Sequence, residues 1–142
     1  MHPSLQHALD IISIERNATE YSQAFDAVLE VINVFGEPDL ANRLFAEIPR
    51  AVPETLVTEL FNLLAWQTND NGAAMTREVE AWLREGLDVR KLKIAMGLEV
   101  YPFPDAQEMY QVLSTLAEVV PEVAARCQGL ITLRKASSHG LT

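Results

Sequence analysis

From Tyr21 to Phe35 the apolar residues Tyr21, Phe25, Val28, Ile32 and Phe35 fall at steps of four, three, four and three. Such spacing lays them along one side of a helix of 3.6 residues per turn, whereas a strand would alternate its faces at every residue. Gln23, Asp26, Glu30, Asn33 and Glu37 form a polar stripe beside them, and Gly36 stands where a helix ends. The same period recurs along most of the chain, which restricts it to an all-α fold.

The punctuation sets the helix count. A first helix runs from Pro3 to Arg16 through Leu5, Leu9 and Ile12. A second runs from Thr19 to Phe35. Asp39 is placed to cap a short helix through Leu40, Leu44 and Ile48 that Pro49 ends. Pro53 opens the next, in which Leu56, Leu60, Phe61, Leu63 and Leu64 spread over a wide arc, as a central helix requires. After the TNDNG connector, Val79, Trp82 and Leu83 mark a helix that closes at Gly86. Asp88 caps another, with Val89, Leu92 and Met96 inward and Arg90, Lys91 and Lys93 outward. KIAMGLEVY could hold an extended segment, and YPFPD breaks the helix with two prolines. Asp105 and Glu108 start a helix through Met109, Val112, Leu113 and Leu116. Pro121 restarts the chain into a last helix with Val123, Cys127, Leu130 and Ile131 on one face. The expectation is a single all-helical domain over residues 1–136 with a frayed tail at 137–142. It holds about eight helices paired in antiparallel hairpins, as an irregular bundle or a short HEAT-like stack.

The chain has 142 residues, 49% of them apolar, and can form a core without a metal or disulfide. Its formal charge of −9 is uneven. Residues 1–70 hold 11 acids and 3 bases, a charge of −8, whereas residues 71–142 carry −1. An acidic half repels phosphates and anionic lipid and attracts basic partners, although solubility alone also accounts for it. The single Cys127 forms no internal disulfide. MHPSLQHALDIISIER lacks a basic leader and is interrupted by Asp10, and no apolar run is long enough for a membrane span. These features point to the cytoplasm.

Several chemistries lack their residues. His2, His7 and His139 lie near the ends, and no H-E-x-x-H, G-x-S-x-G, Walker A or G-x-G-x-x-G pattern occurs. Cys127 falls on an apolar helix face and reads as a small buried hydrophobe. Gln67 to Glu78 mimics a calcium loop, with Gly72 and Glu78 in register. Its odd positions nevertheless supply Gln67, Asn69 and Asn71, and Met75 stands at the ninth, so anionic oxygen is too scarce for a hard cation. It reads instead as a turn bent by Asn71 and Gly72, with Thr76 or Asn71 capping the next helix. Trp66 and Trp82 are expected in the core. Tyr101 and Phe103 sit on a proline-bracketed loop, as a core plug or as an exposed anchor.

FNLLAWQTNDNG, EAWLREGLDVRKLKIAMGLEVYPF and EMYQVLSTLAEVVPEVAARCQGLI carry a resemblance over about half the chain. Through Trp82, the Gly86-Leu87-Asp88 turn, the Tyr101-Pro102-Phe103 loop and Arg134, the chain resembles small all-helical immunity proteins of bacterial polymorphic toxin systems, including contact-dependent growth inhibition. The resemblance implies a cytoplasmic protein that neutralises one toxin domain by binding it, with no catalytic residues and no cofactor. An acidic surface would mask a basic toxin cleft, and the expected contacts are Asp26, Glu30, Glu37, Asn69, Asp70 and Tyr101. A protein partner is expected, with no nucleic acid, membrane or metal. A helical-repeat adaptor or regulatory subunit for an endogenous protein is the alternative, and an enzyme working through carboxylates is a third class.

Overall fold

The computed structural model describes residues 1–16 and 22–140. All regular structure among them is helical, and the chain is all-α. The helices are α1 (Pro3–Glu15), α2 (Ser22–Phe35), α3 (Leu40–Glu47), α4 (Glu54–Gln67), α5 (Ala73–Glu85), α6 (Val89–Met96), α7 (Ala106–Val119) and α8 (Ala124–Gly140). A single 3-10 turn, Pro121–Val123, leads into α8. Thr19 and Tyr21, expected in the second helix, lie outside the described residues. No described helix is long and apolar enough to cross a membrane.

Two compact units divide the chain, Met1–Glu78 and Val79–Thr142. In the first, α1, α2 and α4 each pack against the other two. Leu5, Leu9 and Ile12 of α1 are buried, as are Leu56, Val57, Leu60, Phe61 and Leu64 of α4. The buried side of α2 is Ala24, Ala27, Val28, Val31 and Ile32, while Phe25 and Phe35 are only half-buried. The two alanines let neighbouring backbones approach, which turns the larger rings to the margin of the stripe. Leu63 is likewise half-buried on the flank of α4.

In the second unit α7 packs on α8, and α6 on α8 and the 3-10 turn. Asp88 and Asp105 accept the first-turn amides of α6 and α7, as their positions predict. The KIAMGLEVY segment is helical to Met96 and irregular beyond it, with no strand. The last helix continues to Gly140, through most of the segment expected as a tail.

Phe103 is the plug of the YPFPD loop: it is fully buried and adopts a left-handed backbone, φ 64°. That backbone costs a non-glycine residue about 1–3 kcal/mol, and burying the ring offsets it by a similar amount. The decision falls to polar contacts. The buried Glu80 carboxylate accepts the Phe103 amide at 2.7 Å. Arg134 donates to the carbonyls of Pro102, Phe103 and Pro104 at 3.2, 2.8 and 2.9 Å. Its guanidinium also lies 5.4 Å from the Tyr101 ring centroid. Arg134→Ala is therefore expected to lower unfolding stability by about 2 kcal/mol in urea titrations, with Arg134→Lys recovering little, since one ammonium cannot span three carbonyls.

Two glycines make opposite demands. Gly72 has φ 82°, and a Cβ placed there would stand 2.6 Å from Ala65 Cβ. Gly129, inside α8, faces open space. Gly72→Ala is expected to destabilise by more than about 1 kcal/mol, and Gly129→Ala to stabilise by about 0.5–1 kcal/mol. Thermal melts of the two variants check the pair, and equal shifts would contradict it.

Candidate protein-binding surface

The N-terminal unit carries most of the charge. Residues 1–78 contain 12 carboxylates, 4 arginines and no lysine, a formal −8. The arginines are partly used inside it. Arg16 pairs with Glu59 at 2.9 Å. Arg43 donates to the carbonyls of Phe35 and Gly36, where the negative end of the α2 dipole favours a cation.

Many of the carboxylates serve the backbone. Glu15, at the end of α1, accepts the first-turn amides of α2 from Gln23 and Ala24 at 3.3 and 3.1 Å. Glu78 does the same for α3, accepting from Ala41 and Asn42 at 3.4 and 3.1 Å. This corrects the expected role of Asp39. Asp39 is the cap residue by position, but its left-handed backbone, φ 57°, is not the extended one a capping side chain needs, and it makes no side-chain cap bond. Its carboxylate accepts from the Asn42 side chain at 2.7 Å instead.

The TNDNG connector is a tight turn, with Asn71 at φ 54° and Gly72 at φ 82°. Its cap is Asp70, rather than Thr76 or Asn71. The Asp70 carboxylate accepts from Gly72 and Ala74, each at 3.0 Å, and the Thr68 hydroxyl accepts from Gly72 at 2.7 Å. In a calcium loop Glu78 would be the bidentate ligand; here both of its oxygens face α3.

The six expected contact residues fall into three groups. Asp26 and Glu30 are exposed on α2, and their carboxylates make no hydrogen bond or ion pair among the described residues. Together with His7, Gln23 and Ala27 they line a shallow groove of about 380 Å³ between α1 and α2. Glu37 and Asn69 are joined, the Glu37 carboxylate accepting the Asn69 amide at 3.1 Å, and Asp70 follows in the same turn. Tyr101 belongs to the second unit, where it is half-buried beneath Arg134.

The outer side of α2 is not purely polar. Leu29 and Val34 are exposed at its margins, 43% and 41%, so the acidic stripe is bordered by aliphatic surface. Helical spacing puts both at the edges of the Asp26–Glu30–Asn33 row, a placement legible in the sequence. His7 was set aside for its position near the terminus, yet it lines the groove. Trp82 is buried, 3% exposed, with Lys91 Nζ 5.4 Å from its ring centroid, whereas Trp66, also expected in the core, is exposed. The reason is helical phase: the buried side of α4 is set by Leu56, Leu60, Phe61 and Leu64, and Trp66 falls on the opposite side.

In the second unit a smaller groove of about 260 Å³ lies between α5 and α7. Leu83, Val112 and Leu116 line it together with the Arg84–Glu108 pair, 3.1 Å apart. Cys127 is buried against Met96, its sulfur 3.6 Å from the thioether, and burial pushes the thiol pKa up. A neutral thiol in that setting packs and is a poor nucleophile. Comparison with protein-family models, with curated proteins and with solved structures finds no match.

Glu78 and Asp70 titrate in opposite directions. Burial raises the Glu78 pKa, Asp39 adds to it, and the amides of Asn42 and Ala41 do not overcome the two. The Ala74 amide, with Thr68 and Gly72, holds Asp70 below the usual carboxylate range. The folded chain thus binds the Glu78 proton more tightly than the unfolded chain does, and the Asp70 proton less tightly. The Glu78 contribution is present below the ordinary glutamate pKa and is lost as pH rises through the folded value. The Asp70 contribution is present above the ordinary aspartate pKa and is lost as pH falls through the folded value. Relative to Glu78→Gln, wild-type stability should fall with rising pH above the ordinary glutamate range. Relative to Asp70→Asn, it should fall with decreasing pH below the ordinary aspartate range. Urea unfolding between roughly pH 3 and 7 measures both, and differences independent of pH would contradict these assignments.

Proposed function

We propose that this chain is a protein-binding module that neutralises a bacterial toxin domain in the cytoplasm, with the outer side of α2 meeting a basic surface of the toxin. It works by stoichiometric masking rather than by catalysis, and it uses no cofactor. The observation that carries the reading is the Asp26–Glu30 row. Glu15 and Glu78 in the same unit are engaged with backbone amides, while the carboxylates of Asp26 and Glu30 are exposed, make no bond among the described residues and share one side of α2. The resemblance to small helical immunity proteins supplies the biological setting.

The division of labour follows from electrostatics. Exposed charges are well hydrated and add little to equilibrium affinity, but they speed encounter with an oppositely charged cleft. Leu29 and Val34 at the margins supply area that loses water on contact. Glu37 and Asn69 take part as a joined pair rather than as separate contacts.

The reading requires that a gene beside this one encode a toxin domain with a basic surface, and that co-expression restore growth. With that domain in hand, Asp26→Ser together with Glu30→Ser is expected to slow association roughly tenfold at low salt and to flatten its salt dependence. Stopped-flow mixing across a salt series reads both. An unchanged rate and slope would remove α2 from the interface, and toxicity unrelieved by the wild-type chain would remove the function.

A further inference from the structure

Glu108, Gln111, Val112 and Thr115 recur at helical spacing and so share one side of α7. With Leu83 and Arg84 near the end of α5 they line the groove of about 260 Å³ in the second unit. Leu83 and Leu116 are buried and Val112 is half-buried, so part of the lining is aliphatic. The rest is polar and includes the Arg84–Glu108 pair, whose two side chains are each about half exposed.

The cation of that pair is held from behind. The Arg84 guanidinium lies 4.8 Å from the centroid of the Phe103 ring, which is fully buried. Glu80 and Arg134 fix the backbone that carries the ring, so Arg84 has little freedom left to lose when a ligand arrives. Among the described residues Arg84 and Glu108 share a single hydrogen bond, Nη2 to Oε1 at 3.1 Å. A guanidinium has several N–H donors and a carboxylate about four acceptor directions, so both retain capacity.

Two opposite charges beside an aliphatic wall select their occupant. A ligand of one sign would be attracted to one member of the pair and repelled by the other. An uncharged apolar molecule would take water from both and replace none of its hydrogen bonds. A free α-amino acid carries an ammonium and a carboxylate on one carbon, and so meets both members at once. The volume lies below the about 300–1,000 Å³ of drug-sized sites, which suits a molecule of that size. We propose that the groove between α5 and α7 binds a free amino acid with an aliphatic side chain. Arg84 takes its carboxylate, Glu108 its ammonium, and Leu83, Val112 and Leu116 its side chain. This site depends neither on α2 nor on a toxin partner.

The test titrates the full chain, labelled at its leucine and valine methyl groups, with L-leucine. The methyl signals of Leu83, Val112 and Leu116 are expected to shift together and to saturate at roughly millimolar concentration. Isocaproate, which lacks the ammonium, and isoamylamine, which lacks the carboxylate, should each bind at least about tenfold more weakly. Arg84→Gln and Glu108→Gln should each weaken leucine binding about tenfold, with circular dichroism reporting the fold. Glu108→Gln leaves Arg84 on the Phe103 ring, so it serves where Arg84→Gln does not fold. Methyl signals unmoved at about 50 mM leucine, singly charged analogues that bind as well as leucine, or full affinity in Glu108→Gln would overturn the site.

Discussion

Short helices leave many backbone groups without partners at their ends, and that constraint organises this chain. Each α-helix leaves four N–H and four C=O groups unsatisfied, and helices of eight residues such as α3 and α6 do not hold alone in water. The chain meets the demand largely with charged side chains, several of them distant in sequence. Glu15 closes the start of α2 and Arg43 its end. Glu78 closes the start of α3, and Arg126 donates to the Lys93 carbonyl in α6 at 3.0 Å. Glu80 and Arg134 do the same for the irregular loop around Phe103. A cap is worth about 0.5–2 kcal/mol, so several together reach the scale of a small protein's whole stability.

The acidic surplus has to be divided before it is read as a binding surface. Carboxylates that accept backbone amides exist for the fold, whatever they add to the field around the molecule. Glu15 and Glu78 are of this kind, and Glu80 is buried besides. Asp26 and Glu30 are among the acids left once these are set aside, and they share one row on an exposed helix side. Net charge alone would have weighted all the acids equally. The hydrogen bonds separate acids that serve the fold from acids that face water, among them the Asp26–Glu30 row with its aliphatic margins.

What was legible in the sequence was local. Apolar period located the helices, because burial of one side repeats every 3.6 residues wherever a helix meets a core. Asp88 and Asp105 were legible as caps because a cap sits at a fixed offset from the amides it serves. Glu78 was not, since its amides belong to residues 41 and 42 and no spacing encodes that meeting. Asp39 misled for the converse reason: its position was right, and a left-handed backbone spoiled its geometry. Of the site, the polar row on α2 came from period alone. The joining of Glu37 to Asn69, the loss of Asp70 to a cap and the half-burial of Tyr101 all required tertiary contacts.

The two tryptophans show where composition stops being informative. By residue type alone both belong in a core. Trp82 shares its side of α5 with Val79 and Leu83 and is covered. Trp66 follows Asn62 by one turn on the side of α4 that the core leucines leave open. A ring 67% exposed forgoes part of the about 1.5–3 kcal/mol that full burial would supply. Helical phase, set by the leucines, decides which of the two rings is covered, and residue type does not.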